Sequence, residues 1–435
     1  MVPRRLLLTL PLVRLPTGLT DGLPPNVVLI ISDDHGWPDY GFLRHPHVRT
    51  PNIDRLAAEG VVFSRGYVPS SLCRPSLASM MTGLYPHQHR ITGNDPPGNP
   101  SDVAARARMA DVYRRSKTIV SRLAARGYAG HQSGKWWEGD CRCCGFTECM
   151  SHGDVLRGGR HGDEGLRIGR ETMQPVFDFI DRAAGRPFFL WYAPFLPHTP
   201  HNPPERLLAR YRALNLPPGL ARYYAMIEWL DETVGQLLDF LEKKDLSRNT
   251  LVFYLADNGW IQLEGERPLH ETRAKLSPYD SGVRTPVIVR WPGRVKPRRD
   301  DASLVSSVDL APTILRACGL PMEHGMPGLD LLDAASLAKR KSVFGSIFVH
   351  TSIDIEKPSV NLKYRWVVRD RWKLIQPYGP NANLPVWEGQ PFTGWSQSTE
   401  LYDIFADPAE KNSVAAANPA VVRCLRDDLD AWWKP

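Results

Sequence analysis

The sequence predicts an α/β protein: a large mixed, mostly parallel sheet sandwiched by helices, followed by a small antiparallel subdomain. Two observations predict it. Apolar runs at 27–31, 127–131, 188–193, 251–256 and 286–290 are separated by helical patterns, and strands alternating with helices build a parallel sheet covered on both faces. After about residue 340 the alternation stops, 343–349 and 364–375 read as short strands between Pro-, Asn- and Gly-rich loops, and a helix near 421–433 closes the chain. At 435 residues the chain exceeds one minimal domain and suits one large domain with an appendage. The expected division is 1–23 as a flexible N-terminus or signal segment, 24–340 as the main α/β domain, and 341–435 as an α+β subdomain packed on it.

Taken in order, the first element is the N-terminal segment. Arg4 and Arg5 precede a short apolar stretch that Pro11 interrupts and Arg14 closes. The charged start fits a secretion signal, while the short apolar part and missing small-residue cleavage site do not. Of the two locations, periplasmic or secreted is favoured over cytoplasmic. No later stretch is long and apolar enough for a membrane span. A first helix opens at Thr50-Pro51-Asn52 and runs through Ile53, Leu56 and Ala57 to Gly60, with Pro in the first turn and Gly past the end. A second covers about 221–243, where Ile227, Leu230, Val234, Leu237 and Leu238 make one apolar face. The formal charge of +7 favours anionic partners, and the absence of a long Lys/Arg run argues against nucleic acid.

Seven cysteines make an odd number, which excludes a complete disulfide framework. Cys141, Cys143, Cys144 and Cys149 crowd together with His152 nearby, and three readings stay open: structural zinc, a surface disulfide in an exported protein, or reduced thiols in a loop.

The chemistry gathers at the strand ends. In open α/β sheets ligands bind beyond the carboxyl ends of the strands. The run at 27–31 delivers Asp33, Asp34 and His35; the next delivers Lys135; 188–193 leads to His198 and His201; 251–256 delivers Asp257 and Asn258. Singly, each has an ordinary structural explanation as a cap or turn residue. Together they point acids, an amide, a cation and imidazoles at one rim. Asp33, Asp34, Asp257 and Asn258 offer oxygen donors only, which suits calcium or magnesium and argues against zinc. Three neighbouring carboxylates would repel one another without a cation.

Cys73-Arg74-Pro75-Ser76-Leu77-Ala78-Ser79, followed by Met80-Met81-Thr82-Gly83, resembles the signature of the formylglycine-dependent sulfatases of the alkaline-phosphatase-like superfamily. The resemblance extends over most of the chain, through Thr50-Pro51-Asn52-Ile53-Asp54-Arg55-Leu56, Gly134-Lys135-Trp136, Pro197-His198-Thr199-Pro200, Asp257-Asn258-Gly259, His270 with Lys275, and Asp309-Leu310-Ala311-Pro312-Thr313. It implies a sulfuric ester hydrolase acting on a sulfated small molecule or glycan, and a maturing enzyme that oxidises Cys73 to formylglycine. One hydroxyl of the hydrated aldehyde attacks sulfur, and the other lets sulfate be expelled as the aldehyde re-forms. By the same resemblance Asp33, Asp34, Asp257, Asn258 and the modified Cys73 bind one divalent cation, usually calcium. Lys135 and Lys275 clamp sulfate oxygens, His198 protonates the departing alcohol, and His270 occupies a further motif position.

Two positions depart from that pattern. Leu77 stands where the family carries Arg, and Trp137 where it carries His; His161 and His35 are candidates for the missing base, with a structural or substrate-binding role favoured for each over that of the base. Loops 138–167, 202–217 and 379–395 are expected to set specificity. Trp137, Trp387 and Trp395 offer stacking surfaces for a sugar, or packing for the core. Two alternatives accompany the sulfatase reading: a phosphonate monoester or phosphodiester hydrolase of the same superfamily, and an inactive sulfatase-like binding protein whose Cys73 stays unmodified.

Overall fold

The computed structural model describes residues 23–435 except 158, 160–162, 184 and 385–394. The first 22 residues, His161 and Trp387 therefore lie outside the described residues. In chain order the strands are β1 Asn26–Ser32, β2 Val61–Phe63, β3 Gly66–Tyr67, β4 Ala129–Gly134, β5 Glu148–Cys149, β6 Phe188–Ala193, β7 Thr250–Ala256, β8 Val287–Arg290, β9 Arg298–Asp300, β10 Val305–Ser306, β11 Ser342–Phe348, β12 Leu362–Arg369, β13 Trp372–Pro377 and β14 Glu400–Asp403.

Eight strands form the main sheet in the order β5-β4-β6-β1-β7-β8-β2-β9. β4, β6, β1 and β7 are consecutive neighbours and parallel. The fifth apolar run of the sequence is β8, which pairs antiparallel with β7 and β2 and makes the sheet mixed. Every residue of β1 and β7 is buried, as expected of central strands covered on both faces. On one side, Ile53 and Leu56 of helix Pro51–Glu59 and Leu230, Val234 and Leu237 of helix Pro218–Lys243 pack against Val28, Ile30, Val252 and Tyr254. The two helices are locked through Asp231, whose carboxylate accepts from the backbone N–H groups of Asn52 and Ile53 at 3.0 and 2.7 Å. Those amides are among the unpartnered donors of a helix start.

On the other side lies helix Cys73–Thr82, buried at every residue. It ends at Gly83, whose φ of 69° and amide bond to the Ser79 carbonyl close a left-handed cap. A Cβ there would also meet that of Ala311 at 2.6 Å. The C-terminal strands β11–β14 form a separate four-stranded antiparallel sheet. One face packs on helix Pro419–Trp432 through Val367, Leu374, Leu425 and Leu429. Tyr364, Trp366 and Ile375 join the core of the larger sheet. Among the described residues no helix is long and apolar enough to cross a membrane.

Candidate active site

Because β4, β6, β1 and β7 are adjacent and parallel, their carboxyl ends open onto one edge. Asp33 and Asp34 follow β1, Lys135 follows β4, His198 lies on the loop after β6, and Asp257 and Asn258 follow β7. Cys73 meets them from the first turn of its helix, where the backbone field favours negative charge. Lys275 arrives on a loop anchored by the Leu276 amide, which donates to the Ser71 carbonyl at 2.9 Å. Asp34 and Leu276 both hold left-handed backbone conformations, φ 61° and 71°, a strain that non-glycine residues keep where the surroundings enforce it. Tyr223 supports the Asp34 turn, donating its hydroxyl to the Asp34 carbonyl at 3.0 Å.

The side chains form one connected cluster. Lys135 Nζ lies 2.6 Å from Asp33 Oδ1 and 3.2 Å from Cys73 Sγ. Lys275 Nζ lies 2.6 Å from Asp34 Oδ1 and 2.7 Å from its Oδ2. Asn258 donates to Asp34 Oδ1 at 2.8 Å, and its own Oδ1 is 3.5 Å from Cys73 Sγ. His198 donates from Nδ1 to the Thr199 carbonyl at 2.7 Å, which turns Nε2 toward Asp34 Oδ2 at 3.4 Å.

Burial raises Asp33 and Asp257, and the neighbouring carboxylates push the same way against the pull of the lysines. Burial also raises Asp34, but Lys275, His198 and Lys135 together overcome it and hold its carboxyl low. Desolvation would lower both lysines, and the surrounding carboxylates instead keep them raised and charged. Burial pushes the Cys73 thiol up to about 12, so the unmodified thiol is a poor nucleophile. His198 is held well below its usual 6.5, by burial first and by Lys135 second.

The donor set fits a divalent cation. Ligand atoms of Asp33, Asp34, Cys73 and Asp257 lie within 4.8 Å of one another. Asp33 Oδ2 and Asp257 Oδ2 are buried with no hydrogen-bond partner, a cost that a cation removes. Around this cluster runs a cleft of about 240 Å³ whose walls include Trp137, Trp260, His270 and Lys275. His270 packs its ring 4.6 Å from that of Trp260 and donates from Nδ1 to the Glu271 carbonyl at 2.8 Å.

Several readings that the sequence left open are resolved by the structure. His35 does not face the cleft: its Nε2 is 2.9 Å from the Asp39 carbonyl, its Nδ1 3.3 Å from the Tyr254 hydroxyl, and it stacks on Tyr40. Burial lowers it to about 3, so it is a neutral core imidazole. Trp395 is a packing residue, buried against Tyr364 with Nε1 donating to the Thr272 carbonyl at 2.9 Å. The four loop cysteines do not converge on a zinc site. Cys141 and Cys149 form a disulfide, Cys144 is buried as a free thiol and Cys143 is exposed. The two departures from the family pattern prove to be neighbours. Leu77 and Trp137 line one small cavity beside the buried pair of Arg74 and Glu138, which bond at 2.7 and 2.8 Å.

Sequence reasoning missed Asn94 and His350, which also line the cleft. His350 follows the strand run 343–349, so the signal was the one used elsewhere, a polar residue at a strand end. It was passed over because the strand belongs to the antiparallel sheet.

Fold and site together are those of an α/β protein with a buried carboxylate cluster that could hold a cation at the carboxyl edge of its sheet. The sulfatase family model matches residues 25–320, and the model of the N-sulphoglucosamine sulphohydrolase C-terminal region matches 265–431. The chain belongs to the sulfatase family, the hydrolases of sulfate esters. It is 29% identical to dog N-acetylgalactosamine-6-sulfatase over 350 residues, covering 72% of this chain and 66% of that protein. It is also 29% identical to human arylsulfatase A over 483 residues, covering 98% and 90%. A solved structure of Ps i-CgsB in complex with k-i-k-neocarrahexaose superposes with a TM-score of 0.74 at 24% identity, covering 94% of this chain and 93% of that one, and shares the fold.

Proposed function

We propose that this chain removes sulfate from a sulfated carbohydrate, and from aryl sulfates, through a formylglycine made from Cys73. One observation carries the reading: Cys73, Lys135, Lys275 and His198 all converge on a single carboxylate cluster at the carboxyl edge of the sheet. Lys135 and Lys275 offset charge on the transferring sulfate. His198 is oriented by its Nδ1 bond so that Nε2 hands a proton to the departing alcohol oxygen. His270 and Trp137 contact the substrate from the cleft wall. Asp33, Asp34, Asp257 and Asn258, oxygen donors that suit calcium or magnesium, would hold a divalent cation, calcium by the family resemblance, which when bound would supply Lewis-acid stabilisation of the sulfate oxygens. The change of architecture near residue 340 supports a catalytic part before it and a smaller part behind it.

The N-acetylgalactosamine-6-sulfatases among its relatives make N-acetylgalactosamine 6-sulfate the first sugar ester to test. The decisive experiment is the mass of the proteolytic peptide containing Cys73, from protein co-expressed with a formylglycine-generating enzyme, alongside hydrolysis of 4-nitrophenyl sulfate. A peptide lighter by the thiol-to-aldehyde difference, with turnover that Cys73→Ala abolishes, is expected. Turnover by protein whose Cys73 is entirely thiol would overturn the nucleophile assignment, and preference for an aryl phosphonate would overturn the substrate class.

A further inference from the structure

The cleft has two parts with different chemistry. Lys135, Lys275 and His198 each lie within 3.4 Å of a carboxylate oxygen of Asp33 or Asp34. His350 stands apart from that cluster. It lines the same cleft but comes from the far side of the chain, immediately beyond β11 of the antiparallel sheet.

His350 is held unusually firmly for a residue on a loop. The Asn94 amide donates to the His350 carbonyl at 2.9 Å, and the Ser352 amide donates to the Asp95 carbonyl at 2.9 Å. Gly93 lies so close that a Cβ there would be 2.6 Å from the His350 carbonyl oxygen. Charged groups stand behind the side chain as well. Its Nδ1 is 3.7 Å from Asp95 Oδ2, while the other oxygen of the buried Asp95 lies 3.5 Å from Arg106 Nη1. Arg106 and Asp95 thus set a charged row behind the imidazole, which itself lines the cleft. Asn94 spends Oδ1 on the Arg74 amide at 3.0 Å, which leaves Nδ2 as the amide group it offers.

We propose that His350, positioned by Asp95 and seconded by Asn94, is a specificity residue that hydrogen-bonds a ring substituent of a sulfated hexose beside the ester being cleaved. The inference rests on the sulfatase reading above and deepens it. A fixed polar edge away from the reacting groups recognises the part of a sugar that an aryl sulfate lacks, since a site built to hydrogen-bond a hydroxyl rejects analogues without it.

The test compares N-acetylgalactosamine 6-sulfate with 4-nitrophenyl sulfate on the mature enzyme. His350→Ala is expected to lower kcat/KM for the sugar by about 10- to 100-fold, the cost of stranding a hydrogen-bonding partner, and to leave the aryl ester within about twofold. His350→Gln, which keeps an N–H donor, recovers part of the loss. Asp95→Asn raises KM for the sugar without lowering kcat, a split that a general loss of structure would not produce. Equal losses on both substrates, or no loss on either, would overturn the inference, as would an enzyme that turns over the aryl ester and not the sugar. Failure on both substrates would count against the sulfatase reading instead. Calorimetry then still decides the role of His350: the Ala variant must weaken the sugar sulfate and spare inorganic sulfate.

Discussion

Lys135 Nζ sits 2.6 Å from Asp33 Oδ1, although the two residues leave the sheet on strands separated by β6. With Lys275 on Asp34, two ammonium groups face the three carboxylates of Asp33, Asp34 and Asp257. With all three ionised, as a bound cation would require, one negative charge is left over in a buried pocket. A divalent ion reverses that sign, and only the reversed site attracts a sulfate monoester.

Cation binding should therefore govern both stability and anion binding. Calcium added to chelator-treated protein is expected to raise the melting temperature, by the equivalent of about 2.7 kcal/mol at a concentration of 100 times Kd. Asp257→Asn should remove most of that gain. Inorganic sulfate should bind, by calorimetry, only after calcium is restored. Equal sulfate affinity with and without chelator would show that the lysines suffice and that the charge argument is wrong.

How much of this was legible in the residues depends on topology. Asp33, Lys135, His198 and Asp257 could be gathered beforehand because each follows a strand of a parallel sheet, and parallel neighbours share an edge. Cys73 and Lys275 gave no such signal: one opens a helix and the other sits in a loop, and only the family resemblance placed them. The direction of β8 was illegible, since an apolar run carries no orientation. Which of His35's two readings held was not legible, because neighbouring residues diverge where a strand ends; Asp34 turns into the cleft with φ 61° while His35 turns into the core. His350 was hidden because the strand-end rule holds for parallel sheets and its strand is antiparallel. Trp395 shows the limit of composition, because a tryptophan beside a loop packs inward as readily as it lines a cleft.

The shared cavity of Leu77 and Trp137 makes a second expectation. An arginine at 77 would place another guanidinium near Arg74 and Lys135 with only Glu138 to pair, so Leu77→Arg alone should cost about 3 kcal/mol or more. Trp137→His alone opens space in the same wall and should cost about 2 kcal/mol or more. Combined, the arginine gains room and a neighbour it can hydrogen-bond, so the double variant should be more stable than the sum of the single losses by about 1 kcal/mol or more. Denaturant unfolding of the four proteins measures this directly. Strict additivity would mean that the two departures arose independently of each other's packing.

The last expectation concerns acid. His89 is buried, with Nδ1 accepting from the Ile91 amide at 3.1 Å and Nε2 bonded to Ser79 Oγ at 3.0 Å. An acceptor Nδ1 requires the neutral ring, and a second proton would point at the Ile91 N–H. Burial first, then nearby His87, lowers its pKa to about 3 from 6.5. The unfolded chain takes up a proton near 6.5 while the folded one refuses it until about 3. The contribution of neutral His89 is thus complete above 6.5 and is lost as pH falls toward 3, at up to about 1.4 kcal/mol per pH unit. His89→Gln cannot titrate, so the stability advantage of the parent over this variant should shrink at that rate between pH 6 and pH 4, roughly the span over which only the unfolded state is protonated. A gap that stays constant over that span would mean that His89 is already charged in the fold, and the Ile91 amide would then need another acceptor.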